Sequence, residues 1–101
     1  DDSPCDILAA KLGKKGYTIE AKSSKKTSIY IKKQQIEDFV LFSTMIGLQP
    51  VIAVRFNYEG WIFLKPEQLQ DTGSNWVVSL KNAKENGLRF SQFFECQTSE
   101  A

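Results

Sequence analysis

The chain is 101 residues long, 42% hydrophobic and 25% charged, with a formal net charge of +1. That length supports one small core, so residues 1–101 are read as a single domain, and the composition excludes a disordered or collagen-like chain. Histidine is absent, which removes the usual triad base and zinc ligand and leaves chemistry to carboxylates, lysines, water or a hard metal.

In chain order, Asp6 to Leu12 reads as a short apolar strand, and Gly13-Lys14-Lys15-Gly16 has the glycines of a tight hairpin turn. Tyr17 to Lys22 resumes as its partner, with Tyr17, Ile19 and Ala21 on one face and Thr18, Glu20 and Lys22 on the other. Ser28 to Ile31 is a further strand. Gln34 to Ile46 carries Ile36, Phe39, Val40, Ser43 and Ile46 at helical spacing, with Gly47 placed to stop the helix. Pro50 to Phe56 and Trp61 to Leu64 flank Asn57-Tyr58-Glu59-Gly60 as a second hairpin.

Pro66 opens a short helical piece through Gln70, Trp76 to Leu80 reads as one more strand, and Asn82 to Gly87 as a polar connection. Leu88 to Phe94 reads as a short helix crowded with Leu88, Phe90, Phe93 and Phe94, some of which are expected to meet another subunit. Cys5 and Cys96 lie at opposite ends with no CxxC partner, and are read as free thiols in a reducing cytosol. The longest apolar runs, Phe39 to Phe42 and Val51 to Val54, fall far below the roughly 20 residues that cross a bilayer, so no membrane partner is expected. No secretory signal opens the chain, and its first residue is Asp rather than Met, so residues upstream are expected to be missing.

The small net charge hides an asymmetry. Lysines 11, 14, 15, 22, 25, 26, 32 and 33 face one acid, Glu20, in the same stretch, a local balance of +7 that leaves the rest of the chain acidic. A solvated face accounts for many charge runs, but this density over strand-like segments points to a polyanion, above all nucleic acid. Lys25, Lys26, Lys32 and Lys33 are the candidate phosphate contacts, as a group rather than singly.

Asp6 and Glu20 fall on paired strands in this reading, and two carboxylates facing one site repel unless a divalent cation lies between them or one is protonated. Magnesium suits such a pair, because it takes one or two protein carboxylates and keeps waters that can be activated to attack a phosphodiester. Lys22, one pleat beyond Glu20, would counter charge developing on the phosphate. Acid, acid and lysine are thus sufficient parts for metal-dependent phosphodiester hydrolysis without histidine. The plainer reading keeps Asp6 and Glu20 as edge-strand acids facing water, Lys22 as their solvated neighbour and Gln35 as a helix-start residue.

Asp6 followed by Glu20-Ala21-Lys22 resembles the D…ExK motif of the PD-(D/E)xK nuclease superfamily. Pro4-Cys5-Asp6-Ile7-Leu8-Ala9, Ile19-Glu20-Ala21-Lys22-Ser23, Gln35 at the head of its helix, Pro50-Val51-Ile52-Ala53-Val54 and Gly60-Trp61-Ile62-Phe63 are together similar to the archaeal Holliday junction resolvases. The resemblance implies an α/β restriction-endonuclease-like fold with a mixed central sheet flanked by helices. It implies a homodimeric, magnesium-dependent endonuclease, with manganese as a substitute, that cuts four-way DNA junctions in the cytoplasm at the nucleoid. It assigns catalysis to Asp6, Glu20 and Lys22, the metal to Asp6 and Glu20, and a supporting place to Gln35. Other expectations are a restriction-type or repair nuclease acting on another DNA structure, and a DNA-binding module of this fold without catalysis.

Three departures accompany the resemblance. Cys5 separates Pro4 from Asp6, where the family has the proline adjacent, and the first hairpin is slightly longer than usual. The family's N-terminal helix, with a further catalytic glutamate, has no counterpart before Asp1 and is expected to be missing.

Overall fold

The computed structural model describes residues 16–93. The chain runs through β1 (Tyr17–Ser24), β2 (Ser28–Lys32), α1 (Lys33–Met45), β3 (Gln49–Phe56) and β4 (Trp61–Leu64). A 3-10 turn at Pro66–Gln68 leads to β5 (Gln70–Asp71), β6 (Asn75–Ser79), α2 (Leu80–Asn86) and β7 (Leu88–Arg89), and residues 90–93 are helical.

Two sheets form. The first has the order β1-β3-β4-β7, with β1 parallel to β3 and the other pairs antiparallel, which makes it mixed. The second is antiparallel, in the order β2-β6-β5. The reason lies in β3, whose Val51-Ile52-Ala53-Val54 run is buried on both faces. A strand with no polar face needs cover on each side. On one side Ile52, Val54 and Phe56 pack with Ile62 and Leu64, with Ile29, Ile31 and Val78 of the second sheet, and with Ile36 of α1 and Ala83 of α2. On the other, Val51, Ala53 and Phe63 gather Tyr17, Trp61 and Phe93.

The parallel pairing of β1 and β3 requires a crossover, and β2 with α1 supplies it. The helix ends where the sequence indicated: Gly47 has φ 76, its N–H donates to the Thr44 carbonyl and the Leu48 N–H donates to that of Ser43. These two bonds and the left-handed glycine form a Schellman cap. Ser43 is fully buried in α1, and its hydroxyl donates to the Phe39 carbonyl and also bonds the Thr18 hydroxyl of β1.

Three stretches differ from the sequence reading, the first being the helical piece expected through Gln70, which stops at Gln68 so that Gln70–Asp71 can pair with β6. Asn82 to Gly87 belongs to helix α2 and not to a loop; the Ser79 hydroxyl caps it by accepting the Asn82 N–H at 3.0 Å, and Asn82 donates to the Gln68 carbonyl. With Ala83 its sole buried residue, this helix has no apolar stripe to betray it. Leu88 to Phe94 is not one helix either: Leu88 and Arg89 pair with Phe63 and Ile62 at the edge of β4 before helical residues 90–93 begin. The expected strand Asp6 to Leu12, its hairpin with β1, and Phe94 lie outside the described residues.

Gly87 ends α2 in a crowded place, where an added Cβ would come within 2.3 Å of the Ile62 side chain and 2.7 Å of the Ala83 carbonyl. Neither neighbour can yield freely, one being core and the other backbone. Gly87→Ala should therefore destabilise the protein by about 1–3 kcal/mol, read as a lower urea midpoint.

Two ion clusters pin the periphery. Lys33 at the start of α1 meets Asp71 of β5 at 2.6 Å and lies 5.1 Å from the Trp76 ring centroid. Glu59, in the β3–β4 turn, meets Arg89 of β7 at 3.1 Å and Lys84 of α2 at 3.5 Å. The hydrogen bond from Lys33, then the N–H of Gly73, holds the Asp71 carboxyl below its ordinary 3.8. The bond from Arg89, then the charge of Lys84, holds Glu59 below 4.5. Lowered folded-state values mean that this stabilisation is complete above about pH 4.5 and is lost as pH falls through the folded values. In melts between about pH 6 and 3, the combined Asp71→Asn and Glu59→Gln variant should show a shallower acid decline than the parent protein.

Candidate active site

Thr18, Glu20 and Lys22 alternate onto the face of β1 that looks toward α1, as the period of a strand requires. Lys22 Nζ lies 3.5 Å from Glu20 Oε2, with both side chains a little over a quarter exposed. Gln35, in the first turn of α1, donates from Nε2 to the same oxygen at 3.1 Å. The Thr18–Ser43 bond lies further along the same helix–strand contact, so the helix that presents Gln35 is fastened to β1 at both ends. Glu20, Lys22 and Gln35 are thus brought together, while Asp6 lies outside the described residues.

Both contacts fall on Oε2, so Glu20 Oε1 has no partner among the described residues. That oxygen suits a hard cation, which prefers carboxylate oxygen and often takes one or two such groups from the protein. Among the described residues no cluster of three metal-ligating side chains occurs. Glu20 is thus the one carboxylate that the described residues bring to this cluster.

The lysines divide. Lys25 and Lys26 occupy the bend after β1, where the Lys26 N–H donates to the Ser24 hydroxyl, and Lys32 closes β2 three residues before Gln35. All three are exposed and have no ion pair among the described residues. Lys33 instead turns to Asp71 and Trp76. Arg55 of β3 and Tyr58 of the next turn, which the sequence reading passed over, stand beside Lys25 in a cleft at the end of β1. An aromatic residue within an Asn-Tyr-Glu-Gly turn was the available signal.

The fold is that of a nuclease of known structure. The structure of Archaeoglobus fulgidus Hjc, described as a Holliday junction resolvase from an archaeal hyperthermophile, superimposes with a TM-score of 0.75 at 22% identity, covering 82% of this chain and 67% of that one. The family model described as archaeal Holliday junction resolvase (hjc) matches residues 1–101, and the chain belongs to that family. It is also 40% identical over 75 residues to the crossover junction endodeoxyribonuclease Hjc of Methanocaldococcus jannaschii, a match spanning 72% of this chain. The matched chain spans about half the length, 53%, of that relative.

Proposed function

We propose that this chain is a structure-selective, metal-dependent endodeoxyribonuclease that cleaves four-way junctions as a homodimer. The observation that carries the reading is the Glu20–Lys22–Gln35 cluster, the ExK part of the nuclease motif with a helix amide on its carboxylate, in a member of the resolvase family. Gln35 holds Oε2 and so fixes the plane of the Glu20 carboxylate, leaving Oε1 for the cation. Glu20, with Asp6, would hold magnesium, manganese serving as a substitute; the ion would supply an activated water and screen the phosphate charge. Lys22 places a positive charge where negative charge grows as one P–O ester bond breaks, and that interaction strengthens toward the transition state. Of the four candidate lysines, Lys25, Lys26 and Lys32 have no ion pair among the described residues and are available to the DNA backbone, with Lys33 the least available through its bond to Asp71. Such a substrate places the protein at the nucleoid in the cytoplasm; among the described residues no helix is long and apolar enough to cross a membrane.

The dimer reading draws on the surface of α1. Leu41, Phe42, Met45 and Ile46 are 59%, 56%, 76% and 48% exposed, a concentration of apolar surface at the end of one helix. Phe90 and Phe93, the other candidates for a subunit contact, are partly engaged within the chain, 5.9 and 5.1 Å from the Phe63 ring. A two-fold contact would hold two sites at a fixed separation, so that opposed strands of one junction are cut in one encounter.

The direct test is a single-turnover cleavage assay on a synthetic four-way junction, with any upstream residues restored. Glu20→Gln keeps the size of the side chain and removes its charge, and should slow cleavage by roughly 100-fold while leaving junction binding intact. Lys22→Ala should also impair cleavage more than binding. Rates near those of the parent protein for Glu20→Gln would return the cluster to a solvated strand face, and junction binding without cleavage by the parent would favour the silent DNA-binding module.

Assembly has its own measurement. Sedimentation at micromolar concentration should give a dimer, and Met45→Glu, at an exposed helix position, should give a folded monomer. A monomeric parent protein would remove the dimer from the reading.

A further inference from the structure

Tyr58 is the one non-glycine among the described residues with a positive φ, 64°, and the residue is 97% exposed. Asparagine or glycine adopts that conformation at little cost, whereas a bulky aromatic does so against steric strain. The ring packs against nothing that would offset the strain, so its placement does not serve the fold. The turn beneath it is nonetheless fixed. Asn57 N–H donates to the Ser24 carbonyl and Glu59 N–H to that of Phe56, each at 3.0 Å. On the other side Glu59 is bound by Arg89 and Lys84, and Arg89 also reaches the Gly60 carbonyl at 3.5 Å. An aromatic ring is thus held out into solvent on a rigid support.

It borders a cleft of about 530 Å3 whose walls include Ser23, Ser24, Lys25, Arg55 and Asn57. Lys25 and Arg55 have no ion pair among the described residues, and Arg55 is kept in place by lying 5.0 Å from the Trp61 ring. Glu59 also lines the cleft, but its charge is met by two cations outside the turn. Two free cations, hydroxyls and one projecting ring are the parts of a site that holds a phosphate backbone and stacks on a base. Continuous duplex offers no open base face. A branch point does when its arms are held unstacked, because the base pairs at the exchange then lose a stacking neighbour.

We infer that Tyr58 stacks on the open face of a base pair at the branch of the DNA substrate while Lys25 and Arg55 hold the adjoining phosphates, so that this cleft reads structure rather than sequence. The inference rests on the junction-nuclease reading and assigns it a recognition element separate from the catalytic cluster. Ser24 stands two residues beyond Lys22 on β1, about 7 Å along the strand, which is about two base-pair rises of 3.4 Å. The cleft thus begins on β1 directly after the residues of the catalytic cluster.

Binding constants for a four-way junction and for a linear duplex of the same sequence, measured with calcium in place of magnesium on the full chain, test this. Tyr58→Asn keeps the left-handed turn and removes the ring. It should weaken junction binding about tenfold and leave duplex binding within about twofold, with Tyr58→Phe restoring the junction value. The combined Lys25→Ala and Arg55→Ala variant should lower the slope of log affinity against log salt by about two. A 2-aminopurine at the branch should be quenched by the parent protein and not by Tyr58→Asn. Equal losses on junction and duplex would place the ring on ordinary duplex and overturn the inference, as would no loss on either. A parent protein that neither prefers nor cuts junctions fails the functional reading itself; one that does both while Tyr58→Asn behaves identically fails this inference alone.

Discussion

A strand with no polar face organises this molecule. Val51 to Val54 of β3 are all nearly inaccessible, at 0–3% exposure, so both sides of the first sheet need an apolar cover. The second sheet with both helices closes one side, and aromatic residues from β1, β4 and the chain beyond β7 gather on the other. Pairing β1 in parallel beside β3 follows from the crossover through β2 and α1, and that crossover lays the helix over the polar face of β1. The candidate site is thus a product of packing: Glu20 and Lys22 stand partly exposed on β1, and Gln35 reaches Glu20 because α1 must cover β3.

Electrostatics then sorts side chains that look equivalent on paper. Four lysines follow Glu20-Ala21-Lys22 within eleven residues, yet Lys33 is bound to Asp71 and packed on Trp76, whereas Lys25, Lys26 and Lys32 have no ion pair among the described residues. Surface ion pairs add little to stability, and the consequence of the Lys33 pair is geometric: it ties the first turn of α1 to the second sheet. The Glu59 cluster does the same for the β3–β4 turn, joining it to α2 and β7.

Much of the fold was legible where local chemistry agreed with tertiary demand. The alternation from Thr18 to Lys22, the helix closed by Gly47 and the hairpin around Asn57 to Gly60 are set by period and by backbone conformation, which neighbouring residues largely specify. The elements missed were those whose reason is remote. Helix α2 owes its form to the Ser79 cap, to Asn82 reaching Gln68 and to one buried alanine, and Leu88 joins a sheet because the edge of β4 stands open beside it.

By itself, then, the sequence determined that Glu20 and Lys22 share a strand face, that a helix beginning near Gln35 follows, and that positive charge accumulates around them, since these depend on spacing along one chain. Only the tertiary structure decided that Gln35 donates to Glu20 Oε2, that Lys33 serves Asp71 rather than standing free, and that Tyr58 projects from a braced turn at the end of the same strand. Those are contacts between residues 15 to 38 positions apart, and which partner a side chain meets at such separations is settled by how the two sheets and α1 close around β3.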